Sequence, residues 1–204
     1  MRVTRAEAKE RNRRALVTSA RQAVARDGHR AKLEEIAEQA GLTTGAVYSL
    51  FGNKTGLLIA VLTEYLGPHY EDLEQLAAAG PEVGGAVDAF ARHYRRQCDD
   101  PDALRHLSFE ISLQDLALRD PELRPKLAAS VRGHEERLTT LFTGMTHDGA
   151  ALTSRQARRL ATALRALLVG LSQGVILGLT DTAPEQYFAD AARALVTPDV
   201  LGPP

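Results

Sequence analysis

Apolar residues recur at three- and four-residue spacing along most of this chain, and the pattern is broken by Gly and Pro rather than by alternation, so helices are predicted almost throughout. The most informative stretch runs from Leu33 to Lys54. Ile36, Ala37 and Ala40 share one face of a first short helix, which Gly41 is placed to end, because Gly enters a left-handed cap without steric cost. Thr43 stands where its hydroxyl can accept amide hydrogens of a second helix, whose inward face is Val47, Leu50 and Phe51. Gly45 and Ala46 keep the first turn of that second helix slim. Upstream, a helix from about Ala6 to Arg26 buries Val17, Ala20 and Val24 and stops at Gly28.

Downstream the punctuation is equally regular. A long helix following Asn53 is expected to kink or break at Gly67-Pro68, since Pro removes an amide and clashes with the preceding turn. Val83, Val87, Phe90, Ala91 and Tyr94 mark a helix within 81–99. Asp100-Pro101 and Asp120-Pro121 each pair a capping carboxylate with a helix-starting Pro, and they bracket a helix with Leu104, Leu107, Ile111 and Leu118 inward. Another helix runs from Pro121 to about Thr143, and THDGAALT reads as a loop.

The stretch 166–180 holds no charge, so every face of its helix is expected to be covered, with Gly170, Gly174 and Gly178 forming a stripe that admits a close neighbour. It is shorter than the roughly 20 residues a membrane span needs. The last helix opens with Thr182-x-x-Glu185, a capping-box pattern. Such a pair of helices suits a four-helix interface between two copies, or the core of a monomer.

Two short helices with a tight turn between them make a helix-turn-helix, whose second helix enters the major groove of DNA; the same pattern also serves as a hairpin in a helical core. Charge favours the first. Residues 1–54 hold eleven Lys and Arg against six Asp and Glu, while the remainder carries the acidic excess that brings the net charge to -1. A cationic end gains affinity for a phosphate backbone by counterion release. Arg2, Arg5, Lys9, Arg11, Arg13 and Arg14 read as a basic arm leading into the first helix. With 204 residues, 44% hydrophobic and 25% charged, and no Trp, the composition is that of an ordinary globular chain rich in close-packed helices. One Cys cannot form an internal disulfide and no signal peptide is evident, so a cytoplasmic protein is expected.

The run AGLTTGAVYSLFGNKTGL resembles the DNA-binding signature of the TetR family of transcriptional regulators, and LVTSARQAVARDG resembles that family's first helix. Many spaced positions match together over about the first quarter to third of the chain. The resemblance implies an all-α fold, with an N-terminal three-helix DNA-binding head over 1–54 and a C-terminal helical ligand-binding and dimerisation body over 55–204. It implies DNA contacts from Thr43, Thr44, Gly45, Tyr48 and Ser49 and from the amine of Lys54, while the charge of Lys32 offers a further phosphate contact. Two positions depart from the pattern: Leu50 replaces a polar or aromatic phosphate contact, and Lys32 stands where a capping Ser or Thr is usual. The expected partners are a palindromic double-stranded operator, a second copy of the chain and a small organic effector, with no membrane and no cofactor. Dimer contacts fall to Leu167, Gly170, Leu171, Gly174, Gly178, Tyr187, Phe188, Ala191 and Leu195. Phe90, His93, Tyr94, His106, Phe109, Leu113, His134, Leu138 and Gln173 are candidates either for an effector wall or for plain core and surface.

Enzyme chemistry has little footing. His134-Glu135 is followed by Leu138 where a zinc-protease helix needs a second His, Cys98 and His93 diverge on a helix, and no phosphate loop, nucleophile elbow or dinucleotide fingerprint is present. The reading is a ligand-released repressor; the alternative is a helical ligand-binding or adaptor protein whose helix-turn-helix is structural.

Overall fold

The computed structural model describes residues 4–61, 63–64, 82–180 and 183–203. The expected kink at Gly67-Pro68, Arg2 and Thr182 lie outside them. The described residues form two compact units, one of residues up to 64 together with 105–130, the other of 82–104 together with 131–203.

In the first unit, α1 (Arg5–Asp27) is opened by Thr4, whose hydroxyl accepts the Glu7 amide while the Glu7 carboxylate accepts that of Thr4. The arginines expected to form a basic arm therefore begin inside the helix. Asp27 is followed by Gly28 at φ 56, whose amide closes onto Val24, and a single tight turn (Gly28–Arg30) leads to α2 (Leu33–Gln39). Gly41, at φ 68, ends α2 as expected: its amide reaches Glu38 O at 2.9 Å and that of Leu42 reaches Ala37 O at 2.8 Å, the paired bonds of a Schellman cap. Then come α3 (Thr44–Phe51), ended by Gly52 at φ 79, and α4 (residues 54–61). Asn53 Oδ1 accepts the Gly56 amide at 2.8 Å and so caps α4.

These helices close on Leu16, Ala20, Val24, Ile36, Val47, Leu57, Leu58 and Val61. Burying each larger side chain contributes about 2 kcal/mol, so no single helix of the head is stable without its neighbours. Part of this core comes from far along the chain. From residue 105 onward α6 (Ala103–Arg119) lies on α1, where Phe109 and Leu113 join the same cluster and Ser108 Oγ donates to Ala25 O at 3.1 Å. Asp120 ends the segment by taking the amides of Glu122 and Leu123 on one oxygen and the Thr55 hydroxyl on the other, and those amides hold its carboxyl below the usual range.

The orientation of α6 corrects the sequence expectation. Leu107 is buried, but Leu104, Ile111 and Leu118 are exposed, Leu118 at 73%. The helix carries two apolar lines, and the one that packs is Ala103, Leu107, Leu113 and Ala117, joined by Phe109. Spacing alone cannot choose between two such lines.

In the second unit α5 (Val83–Gln97) lies along α9 (Glu185–Arg193), burying Val83, Val87, Phe90 and Ala91 on one side and Phe188, Ala189 and Ala192 on the other. Ion pairs rim the contact, among them Asp88 with Arg92 and Arg193, and Arg96 with Glu185; all keep partial contact with solvent, the last pair most, which screens them and keeps their contribution modest. Following α7 (Leu123–Phe142), the expected loop is a small hairpin, β1 (Thr146–His147) against β2 (Ala150–Ala151), turned by Asp148 at φ 50 and Gly149 at φ 80. Positive φ at both positions is what a type I′ turn requires, and Asp-Gly supplies it.

Helix α8 (Ser154–Ile176) differs from expectation at its C-terminal end. It opens at a Thr153/Gln156 capping box, well before residue 166. It closes at a second Schellman cap, with Gly178 at φ 66 and the Leu179 amide on Gly174 O at 2.8 Å, so Gly178 terminates the helix instead of extending a glycine stripe. By length and composition α8 could cross a membrane. Within its unit, however, only one side is closed, by Ala157, Leu160, Ala161, Leu164 and Leu168, while Ala166 and Gly170 are exposed. Among the described residues of its unit, the uncharged stretch is thus not covered on every face. Pro184 stands at the N-cap of α9, which makes Glu185 the first helical residue and not the third residue of a capping box. A last turn, α10 (Pro198–Leu201), follows.

Candidate nucleic-acid interface

The two faces of α3 separate cleanly. Val47 is 0% exposed and, with half-buried Ala46, Leu50 and Phe51, faces the head core, whereas Tyr48 is 57% exposed. Thr43, Gly45 and Ser49 are exposed beside Tyr48, and Thr44 is half-buried. The period of 3.6 residues, with apolar residues at 46, 47, 50 and 51, leaves no other face for the polar set.

Thr43 holds the extended backbone of an N-cap, yet its hydroxyl takes no amide hydrogen from the helix, contrary to expectation. That oxygen stands over Gly45, 3.5 Å from where a Cβ there would lie, and no other side chain among the described residues comes within 4 Å of the same point. Among the described residues, therefore, nothing gives Gly45 a steric reason to lack a side chain.

The flanking cations are partly engaged. Lys54 Nζ donates to Ala31 O, tying the start of α4 to the turn before α2. Lys32 sits at the α2 N-cap without a capping bond and pairs with Glu35 at 3.3 Å. Arg13 pairs with Glu64 and lies over the Phe51 ring at 6.0 Å, while Arg5, Lys9, Arg11 and Arg14 are exposed along α1. Sequence reasoning singled out neither the Arg13–Phe51 contact nor Gly56. The Thr4-x-x-Glu7 cap is legible as a capping-box pattern in the sequence.

The effector candidates are divided between the units. His106, Phe109 and Leu113 belong to the first, where His106 Nε2 meets Arg21 Nη2 at 2.8 Å and the other two are closed into the head core. Phe90, His93, Tyr94, His134, Leu138 and Gln173 belong to the second. There Phe90 and Tyr94 stack at 5.2 Å, His93 bonds Gln97 at 2.9 Å, His134 and Leu138 are buried, and Gln173 is half-buried. Cys98 Sγ donates to Tyr94 O at 3.3 Å, and burial pushes its thiol up, away from the thiolate a nucleophile needs.

Of the dimer candidates, Gly170 and Tyr187 are exposed and Leu167, Leu171, Gly174, Ala191 and Leu195 are half-buried. Phe188 is wholly enclosed in its own unit and is removed from the outward set.

Residues 16–61 match the family model of bacterial regulatory proteins, tetR family. A fatty acid metabolism regulator protein of Bacillus subtilis (strain 168) is 25% identical over 133 residues, which span 63% of this chain and 64% of that protein, just under two thirds of its length. Among solved structures, a transcriptional regulator FadR from Bacillus subtilis in complex with stearoyl-CoA superposes with a TM-score of 0.63 at 18% identity, over 93% of this chain and 97% of that one. A Streptomyces coelicolor member of the TetR family gives 0.63 at 22%, over 91% and 98%. A Pseudomonas aeruginosa PAO1 protein gives 0.73 at 18%, over 99% and 96%. The N-terminal domain over residues 16–61 thus matches the tetR family of bacterial regulatory proteins, and the fold is shared with these solved structures over at least nine tenths of the chain.

Proposed function

We propose that the chain is a dimeric repressor that holds a palindromic operator through two copies of its head and releases it when a small organic effector binds the helical body. The observation that carries the DNA-binding part is the outward set on α3: Tyr48, Ser49 and Thr43 surround a glycine whose missing side chain the protein itself does not require. A helix stripped of bulk on its outer side can approach the floor of a groove.

Pairing has support in the second unit. Gly170, Leu177 and Leu179 are exposed along the uncharged end of α8 and Tyr187 is exposed on α9, apolar positions that a second copy would cover. The Schellman cap ordinarily buries its last residue against the one five earlier, but that partner is Gly174, so Leu179 projects outward. Light scattering after size exclusion should give a dimer at micromolar concentration, and Leu179→Glu with Tyr187→Glu should raise the dissociation constant at least about 30-fold. A parent that stays monomeric overturns the pairing.

For the effector, the stearoyl-CoA complex of the Bacillus subtilis regulator makes a long-chain acyl-CoA the first compound to examine. The ligand would bind more tightly to the body in a form whose heads do not fit successive grooves, and DNA affinity would fall by that difference. Fluorescence polarisation on duplexes from the neighbourhood of its own gene tests the whole reading. Binding should weaken steeply between about 50 and 200 mM salt. Tyr48→Ala should weaken it on all sequences, and stearoyl-CoA, unlike free CoA, should release the DNA. Absence of binding even at low salt would leave a helical ligand-binding protein with a structural helix-turn-helix.

A further inference from the structure

We propose that this head recognises thymine through its 5-methyl group, using the methyls of Thr43 and Thr44 at the tip of α3, with Gly45 setting how closely they approach. The inference rests on the DNA-binding reading above.

From Thr43 through Phe51 there is no Arg, Lys, Asn, Gln, Asp or Glu. Paired hydrogen bonds to guanine need Arg or Lys, those to adenine need Asn or Gln, and cytosine's amino group is best met by a carboxylate. The nearest groups of this kind are committed: Asn53 Oδ1 takes the Gly56 amide, and Lys54 Nζ is directed to Ala31 O. What α3 offers a base edge is the hydroxyls of Thr43, Thr44, Tyr48 and Ser49 and the methyls of the two threonines. A hydroxyl both donates and accepts, so it discriminates poorly between base pairs. A methyl does discriminate, because thymine alone among the four bases presents one in the major groove. Ala46 is turned toward the head core and supplies none. The empty space at Gly45 lets the tip seat deeply enough for methyls on so short a side chain to reach the base.

The test begins with a duplex enriched from a randomised library by successive rounds of binding to the full-length protein. Each thymine is then replaced by deoxyuridine, which removes only the methyl. At one position or more in each half-site, affinity should fall about fourfold, and about fifteenfold when both halves are changed. Thr43→Ser or Thr44→Ser keeps the hydroxyl and deletes the protein methyl; one of them should weaken binding to the thymine duplex by a similar factor and abolish its sensitivity to deoxyuridine. Tight binding with no sensitive position overturns the inference while leaving DNA binding intact, as does a sensitivity unchanged in both serine variants. Failure to enrich any duplex overturns the DNA-binding reading and this inference with it.

Discussion

Gly56→Ala is expected to destabilise the head by about 3 kcal/mol, which corresponds to a fall of roughly 10 °C or more in its thermal midpoint. A Cβ built on Gly56 lies 2.0 Å from the Phe51 carbonyl oxygen and 3.1 Å from its carbon. Both are backbone atoms, so no side-chain rotation relieves the overlap. Phe51 is the last residue of α3, and Gly52 follows at φ 79 with its amide on Tyr48 O, so the carbonyl is held in a closed turn. Relief requires α3 and α4 to separate, and Leu57, Leu58 and Val61 on α4 are sealed in the core with Val47 on α3. Ala in place of Gly within a helix ordinarily gains up to about 1 kcal/mol, so the sign as well as the size is diagnostic. Gly133, inside α7 with nothing within 4 Å of its missing Cβ, provides the contrast: Gly133→Ala should hold or raise the midpoint. Thermal melts followed by circular dichroism decide it, and equal behaviour of the two variants would refute the packing argument.

Gly56 also shows where sequence reading stops. Gly28, Gly41 and Gly52 stand at the ends of periodic apolar segments, so their role as terminators follows from local pattern, and the structure gives each a positive φ. Gly56 sits inside a helix, and what excludes a side chain there is a carbonyl of the preceding helix. The fold of the head was legible because its helices are short, amphipathic and punctuated. The outward set on α3 followed from the same period once Val47, Leu50 and Phe51 were assigned inward.

The body was less legible for two physical reasons. On α6 the apolar residues form two lines, and the choice between them is made by α1, some 80 residues away, through contacts such as Ser108 to Ala25. That distant packing draws Phe109 and Leu113 into the head core. On α8 the absence of charge predicts complete burial, although an uncharged face left open by one chain serves equally well for association. The spacing of Gly170, Gly174 and Gly178 does not distinguish a packing stripe from a cap, because Gly suits both.

The sharpest separation of folding from DNA binding is expected at Gly45. Gly45→Ala places its Cβ 3.5 Å from Thr43 Oγ1, an ordinary contact, and should leave the protein as stable as the parent or up to about 1 kcal/mol more so. Gly45→Leu should fold equally well, because its side chain projects from the exposed side of α3. In a groove, however, the added branches occupy the space that the helix must enter, and the tip is held off the base edges. Specific affinity should fall on the order of 10³-fold, to the level of salt-sensitive, sequence-independent attraction by the basic head. Lys54→Ala is a poorer probe of the same contact, since it also removes the bond to Ala31 O and so perturbs the head itself. A leucine variant that melts like the parent and no longer distinguishes its operator from random duplex is the outcome expected of a recognition helix; a structural helix-turn-helix gives no reason for it. If that variant binds the operator as the parent does, α3 is not the element that enters the groove.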